Sequence, residues 1–227
     1  YDLNLKILAF SSEIKALMEL PFVSKDINNM KCFEFLNYSI SDHSSETMYN
    51  DIYQLEGGKS IEFDLNSLKM KRYQYYNLKY ISEFGNYSHK KAKEYAADIR
   101  FLLKDSIRIR LRADVPIGTC LSGGLDSSSI TVLINQLMIE KGMTEKEIFK
   151  SQKTFTASFI DDPIDESKYA NIINNRVNAD GHFTYPSNKT FLNCVNNLVS
   201  IQEEPFTGGS IYAQYEVMKL AKNFATV

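Results

Sequence analysis

Ser122-Gly123-Gly124-Leu125-Asp126-Ser127-Ser128 is the stretch whose reading decides the fold. Val115 to Leu121, just before it, reads as a short buried strand. Ser129 to Glu140, just after it, repeats apolar residues at Ile130, Leu133, Ile134, Leu137 and Met138, the spacing of a helix. Strand, Gly-rich loop and helix in that order aim backbone N–H groups and the positive end of a helix at one point. Gly123 and Gly124 clear side chains from that point, so an anion can lie against the backbone. Ser122, Ser127 and Ser128 add hydroxyls. A carboxylate beside an anion repels it unless a cation lies between, so Asp126 points to Mg²⁺.

These seven residues resemble the pyrophosphate loop of the N-type ATP pyrophosphatases. With the preceding Arg112-Ala113-Asp114-Val115-Pro116-Ile117-Gly118 they resemble the synthetase domain of glutamine-hydrolysing asparagine synthase. The resemblance implies an α/β fold, a parallel sheet with flanking helices of the adenine nucleotide alpha hydrolase type. Ahead of it would stand the strand-rich tail of an N-terminal-nucleophile glutaminase domain. It implies ATP contacts at Leu121, Ser122, Gly123, Gly124, Asp126, Ser127, Ser128, Ala157 and Ser158, with Mg²⁺ on Asp126. The substrates it implies are aspartate, glutamine and ATP. A homodimer of the full-length protein is compatible with it.

The totals set outer bounds. The 227 residues are 44% hydrophobic and 24% charged with net charge -2, the composition of a water-soluble globular protein with no global footprint for nucleic acid or an anionic membrane. Cys32, Cys120 and Cys194 are far apart, which speaks against a zinc or disulfide framework and for a reducing cytoplasm. No run of about 18 apolar residues is present, so a membrane span is not expected. The first residue is Tyr1, and Ala225-Thr226-Val227 reads as the opening of a strand. Both ends are therefore expected to be cut, and the chain is expected to bind ATP weakly without completing a catalytic site.

Residues 1–80 are expected to close a glutaminase domain. Leu3–Phe10 alternates as a strand, Ser11-Ser12-Glu13 caps a helix over Ile14–Leu20, and Lys31–Ile40 gives a second helix with Cys32, Phe33, Phe35 and Leu36 inward. Thr47–Leu55 resembles the family's closing strand, and 60–64 and 71–76 alternate as two more. Gly58-Lys59-Ser60 imitates the end of a Walker A motif, but Tyr53 stands where its first Gly belongs and a strand follows.

Residues 88–227 are expected to begin the synthetase domain, after a linker near Leu78–Tyr87. Ser88 caps a helix over Lys90–Arg112 whose stripe is Ala92, Tyr95, Ala96, Ile99, Leu102, Leu103 and Ile107. Arg108, Arg110 and Arg112 either attract phosphate or serve the helix dipole. Cys120 reads as a buried core thiol. Lys153–Phe159 and His182–Thr184 read as the next strands. Asp161-Asp162-Pro163-Ile164-Asp165-Glu166 is an acidic loop read as a helix start rather than a metal site. Helices follow from Ser187 to Ser200 and from Tyr212 to Asn223. Gln202-Glu203-Glu204-Pro205-Phe206 with Tyr212-Ala213-Gln214-Tyr215 resembles a segment lining the family's cleft, which makes Glu203 and Glu204 candidates for that cleft.

Overall fold

The computed structural model describes residues 7–80, 85–144, 150–160 and 162–224. The chain divides into two compact units, Tyr1–Phe84 with Val199–Thr207, and Gly85–Leu198 with Gly208–Val227. Asp161, most of the helical piece after Gly142, the start of the Leu3–Phe10 segment and Ala225-Thr226-Val227 lie outside the described residues. Among the described residues, no helix is long and apolar enough to cross a membrane.

The first unit holds two short helices, α1 (Ile14–Met18) and α2 (Asn29–Tyr38), and a hairpin of β1 (Lys59–Asp64) with β2 (Lys69–Gln74). The hairpin is antiparallel, with Lys59 opposite Gln74 and Asp64 opposite Lys69. Lys59 pairs with Glu56 and opens a strand, which removes the Walker-like reading.

Of the Leu3–Phe10 segment, only residues 7–10 are described: Ile7 sits in a bridge and residues 8–10 are not strand. The expected strand over Thr47–Leu55 does not form as read. Thr47–Leu55 contributes only isolated bridges, Ile27 with Tyr49 and Glu46 with Tyr53. Thr47 Oγ1 donates to the Ile52 carbonyl at 2.7 Å, which curls the segment instead of extending it. Helix α2 starts two residues earlier than expected because Asn28 caps it, accepting from the amides of Met30 and Lys31. Its expected inward face holds only in part: Cys32 and Phe35 are half-buried, Phe33 and Leu36 are exposed, and Lys31 is the buried side chain, 1% accessible. The Lys31 ammonium is kept there by the Ser41 carbonyl and Glu34.

The second unit is an α/β layer. In order it runs α3 (His89–Arg110), β3 (Gly118–Cys120), α4 (Leu125–Glu140), β4 (Lys153–Ala157), α5 (Ser167–Val177), β5 (Asp180–Thr184), α6 (Asn188–Gln202) and α7 (Ser210–Ala221). The last turn of α6, from Val199, counts with the first unit. The sheet is parallel in the order β3-β4-β5, because a helix separates each strand from the next and returns the chain to the same end. Helices cover both faces. Phe155 packs with Val217 and Ala221 of α7 on one side. Thr154 points to the other, where its hydroxyl donates to Asn174 Oδ1 of α5 at 2.7 Å.

Helices α3 and α4 share the core of Ile107, Leu133, Ile134 and Leu137, joined by Leu103, Leu111 and Met138. The broad stripe expected on α3 is thus split. Leu103 and Ile107 pack, while Tyr95, Ile99 and Leu102 are exposed, because α4 covers a single row of the helix. Gly118 is required where it stands: a Cβ there would lie 2.2 Å from the Phe155 ring.

Candidate functional site

The loop leaves the sheet at Leu121, a residue 1% accessible. Its amide donates to the Phe155 carbonyl at 2.9 Å. Its carbonyl accepts from Thr156 Oγ1 at 2.6 Å. The chain then turns at Gly123, where φ is 93°. An L residue is strained at that angle, and a Cβ would also lie 2.7 Å from both the Ala170 amide nitrogen and Tyr169 Cβ. Gly123 therefore serves the turn and the close seat of the loop against the first turn of α5.

Gly124 caps α4, its carbonyl accepting from the Ser128 amide at 3.0 Å. The helix thus begins at Leu125, four residues before the apolar repeat suggested. Asp126, Ser127 and Ser128 occupy its first turn rather than a loose loop. Amides of a first turn have no partner within the helix, and they point out of its N-terminus. Ser122 Oγ lies 3.1 Å from Ser127 Oγ and accepts from the Gly124 amide at 3.2 Å. The result is a compact ring of hydroxyls and amides at the carboxyl end of β3, the edge where open α/β sheets take ligands.

A polar network holds that first turn. Thr131 Oγ1 donates to the Ser127 carbonyl at 2.9 Å, and Gln152 Nε2 donates to the Thr131 carbonyl at 2.7 Å. Asn135 Nδ2 joins Gln152 Oε1 at 3.0 Å to the Val177 carbonyl at 2.7 Å. Thr131 and Gln152 are buried, so these bonds are sheltered from water. Sequence reasoning missed Thr131, Gln152, Thr156 and Tyr169. The available signal was the pair Thr154 and Thr156, polar at alternate positions of a strand buried on both faces.

Ala157 ends β4 beside the loop's strand and Ser158 follows it, its amide donating to the Thr184 carbonyl at 2.9 Å. Asp126 is exposed at the head of α4. Among the described residues no group of three or more His, Cys, Asp or Glu side chains converges. A lone carboxylate beside an anion cradle fits a divalent cation that arrives with phosphates, since Mg²⁺ uses one or two carboxylates and fills its shell from phosphate and water.

Other candidates have occupations of their own. Glu203 and Glu204 belong to the first unit. Glu203 Oε2 accepts from the Ile14 amide at 2.8 Å and Oε1 from the Lys15 amide at 2.8 Å. This remote carboxylate caps α1, where Glu13 makes no side-chain cap. Glu204 Oε1 accepts from the Met48 amide at 2.9 Å. Arg108 turns to Asp105, with Nε 3.0 Å from Oδ1, and Arg110 donates to the Ser106 carbonyl at 3.2 Å; Arg112 is exposed.

Asp165 starts α5 by accepting from the Phe159 amide at 2.9 Å and from Ser167 Oγ at 2.5 Å. The Ser167 hydroxyl, then the Phe159 amide, hold its carboxyl below the ordinary value. His182 sits between Phe155 and Phe224 with Nε2 3.0 Å from Asp180 Oδ2, a packed position. Cys120 is not the buried thiol expected: it is exposed because β3 is an edge strand. Partial desolvation still pushes its thiol pKa up, away from the reactive thiolate. A cavity of about 380 Å³ opens at the opposite end of β3 and β4, lined by Pro116, Gly118, Met138 and Lys153, and does not include the loop.

Comparison with known proteins places these residues in context. The asparagine synthase family model matches residues 98–227. A glutamine amidotransferase domain model matches residues 1–75. A candidate glutamine-hydrolysing asparagine synthetase of Methanocaldococcus jannaschii is 29% identical over 219 residues, 96% of this chain and 40% of that protein. The glutamine-hydrolysing asparagine synthetase 2 of Bacillus subtilis is 27% identical over 224 residues, 95% of this chain and 28% of that protein. Amidase chry2 of Gibberella zeae is 26% identical over 162 residues, 70% of this chain and 23% of that protein. The chain spans less than half the length of each of these curated relatives.

Proposed function

Because the chain belongs to the asparagine synthase family, we propose that it carries the ATP loop of a glutamine-dependent carbon–nitrogen ligase, with residues 1–80 closing the glutaminase domain and 88–227 opening the synthetase domain. The proposed acceptor is the side-chain carboxylate of aspartate. A carboxylate oxygen attacks the α phosphorus of ATP, and the bond to the bridging oxygen breaks. The products of this step are aspartyl-adenylate and pyrophosphate. Ammonia released from glutamine then attacks the activated carbonyl carbon and AMP leaves, giving asparagine.

In this reading the first-turn amides of α4 and the hydroxyls of Ser122, Ser127 and Ser128 hold the leaving pyrophosphate. Such catalysis consists of positioning and of neutralising charge as it moves to the leaving group. Asp126 would hold Mg²⁺, which supplies positive charge to the phosphates when bound. Leu121, Ala157 and Ser158 would border the base. The observation that carries the proposal is the Gly123 turn seated on α5, followed at once by the Gly124 cap of α4. It places two successive positions without side chains beside the first-turn amides of α4.

A second reading keeps the loop and changes the acceptor. Another carboxylate, such as a surface sugar acid or a peptide, is the alternative acceptor; that a relative with a different printed activity, Amidase chry2, matches over 70% of the chain shows that the family's residues here serve more than one named activity. ATP–pyrophosphate exchange on the full-length protein, with and without aspartate, separates the two. Exchange that requires aspartate supports the asparagine synthase reading. Exchange that appears only with a different carboxylic acid transfers the reading to that acid.

A further inference from the structure

The cavity at the amino ends of β3 and β4 measures about 380 Å³, a volume in the range of small-molecule sites. Helix α3 ends at Arg110 and β3 begins only at Gly118, so residues 111–117 run as an irregular strap along one side. Pro116 sits in that strap with no amide hydrogen to give to a helix or a ladder. The end of α4 makes a second side and the start of β4 a third. Gln152, at the start of β4, is 2% accessible, and both ends of its side-chain amide are taken, by the Thr131 carbonyl and by Asn135. That side is therefore held in place before any ligand arrives.

The lining joins apolar surface to one sign of charge. Leu111, Ile117, Ile134, Leu137 and Met138 supply the apolar part, and Lys141, Lys150 and Lys153 supply the charge. Among the described residues no Asp or Glu lines the cavity. Lys153 is matched by Asp180, whose Oδ2 lies 3.1 Å from Nζ. Glu140, beside Lys141 in the chain, is paired with Lys104 of α3. Among the described residues Lys141 and Lys150 form no ion pair, and both are exposed. Two cations of like sign at the rim of an apolar hollow raise the local concentration of anions. A bare inorganic anion would leave that hollow unfilled, and it would lose hydration against apolar side chains that offer it no hydrogen bond. An anion with an apolar body satisfies both parts of the lining.

We propose that this cavity is a second ligand site, for a small organic acid whose aryl or alkyl body packs on Leu137 and Met138 and whose carboxylate is met by Lys141 and Lys150. The site is independent of the ATP loop, because no residue of Ser122–Ser128 lines it. Ammonium groups on flexible stems follow a carboxylate without demanding a fixed two-point geometry. The site therefore selects by charge and by the bulk of the apolar body. A bound acid ties together the strap before β3, the end of α4 and the start of β4, and by mass action it stabilises the folded second unit.

The test uses two probes of the same shape on the full-length protein, phenylbutyrate and its neutral amide, phenylbutyramide, each measured by isothermal titration. The expected result is that the acid binds about fivefold more tightly than the amide, the size of two exposed charge contacts. A variant carrying both Lys141→Met and Lys150→Met keeps the apolar stems and removes the charges. It is expected to bind the two probes equally, at the affinity of the amide, and its thermal unfolding verifies that it is folded. Hydrogen exchange with phenylbutyrate present is expected to slow at residues 111–119 and 150–153, and saturating Mg-ATP is expected to leave phenylbutyrate bound. Equal binding of acid and amide to the wild-type protein would overturn the inference, as would a preference for the acid that survives in the double variant. Displacement by Mg-ATP, or slowed exchange elsewhere in place of those residues, would assign the acid to a different site. A full-length protein that binds neither probe would mean that another part of the chain fills the cavity, which overturns the inference and leaves the ATP reading of the loop untouched.

Discussion

The Gly123 loop with the head of α4, and the start of α1, are both helix starts, and they are stabilised in opposite ways. At α4 the partners are local: Ser122, Gly124 and Ser128 bond within a span of seven residues. At α1 the cap is Glu203, which is 189 positions away from the Ile14 amide that it accepts from. Glu203 also has φ of 64°, a left-handed conformation that a residue other than Gly adopts only when its surroundings hold it there. Local sequence supplies the cap of the first start, which the network through Thr131 and Gln152 then holds in place. The second exists only once distant parts of the chain have met.

Three experiments would break or sharpen that contrast. The largest effect is expected at the local start. Gly123→Ala meets both left-handed strain and a close approach to Tyr169 and Ala170. Strain of about 2 kcal/mol with the added clash predicts a loss of Mg-ATP affinity of about a hundredfold. Isothermal titration measures it, and near-normal binding would show that the loop can shift without losing its ligand geometry.

A smaller effect is expected at the remote cap. Glu203→Ala removes a carboxylate that serves two amides, with its side chain 13% accessible. The expected cost is about 2 kcal/mol in the stability of the first unit. Hydrogen exchange should quicken at the Ile14 and Lys15 amides and stay unchanged in the first turns of α4. Faster exchange in both places would mean that the two starts are not independent.

The smallest effect is expected at the start of α5. The Asp165 carboxyl is held below its ordinary value of 3.8, first by the Ser167 hydroxyl and then by the Phe159 amide. A depressed folded value means that its contribution to stability is present above pH 3.8 and is lost as pH falls through the folded value. Asp165→Asn should therefore unfold with a shallower dependence on pH in the acid range. Melting curves from pH 6 down to pH 2 decide it, and an unchanged slope would place the acid sensitivity on other groups. Asp180 is one such group: burial works against its ionisation, but Lys153 and His182 hold its carboxyl below the ordinary value.

Much of the second unit was legible because its information is short-ranged. The order of strand, loop and helix around Ser122–Ser128 follows from glycine positions and an apolar repeat within 26 residues of one another. The apolar repeat misplaced the start of α4, because residues in a first turn need not be apolar and Gly124 caps the helix through its backbone. The face of α3 was misread for a different reason. Apolar spacing tells which residues could pack, whereas α4 decides which do, leaving Tyr95, Ile99 and Leu102 exposed. In α2 the same failure is sharper, since a lysine is buried and Phe33 and Leu36 are not.

By itself, the sequence determined the family, the α/β class and the order of strand, loop and helix, because these depend on backbone freedom and periodicity within a few turns. Tertiary structure decided what surrounds the loop. It set Tyr169 and Ala170 against Gly123, gave the Leu121 carbonyl to Thr156, and assigned Glu203 to a helix at the far end of the chain. None of these contacts has a signature in local spacing. Each joins residues that become neighbours only when strands align in parallel or when a distant carboxylate finds amides that no nearer group can satisfy.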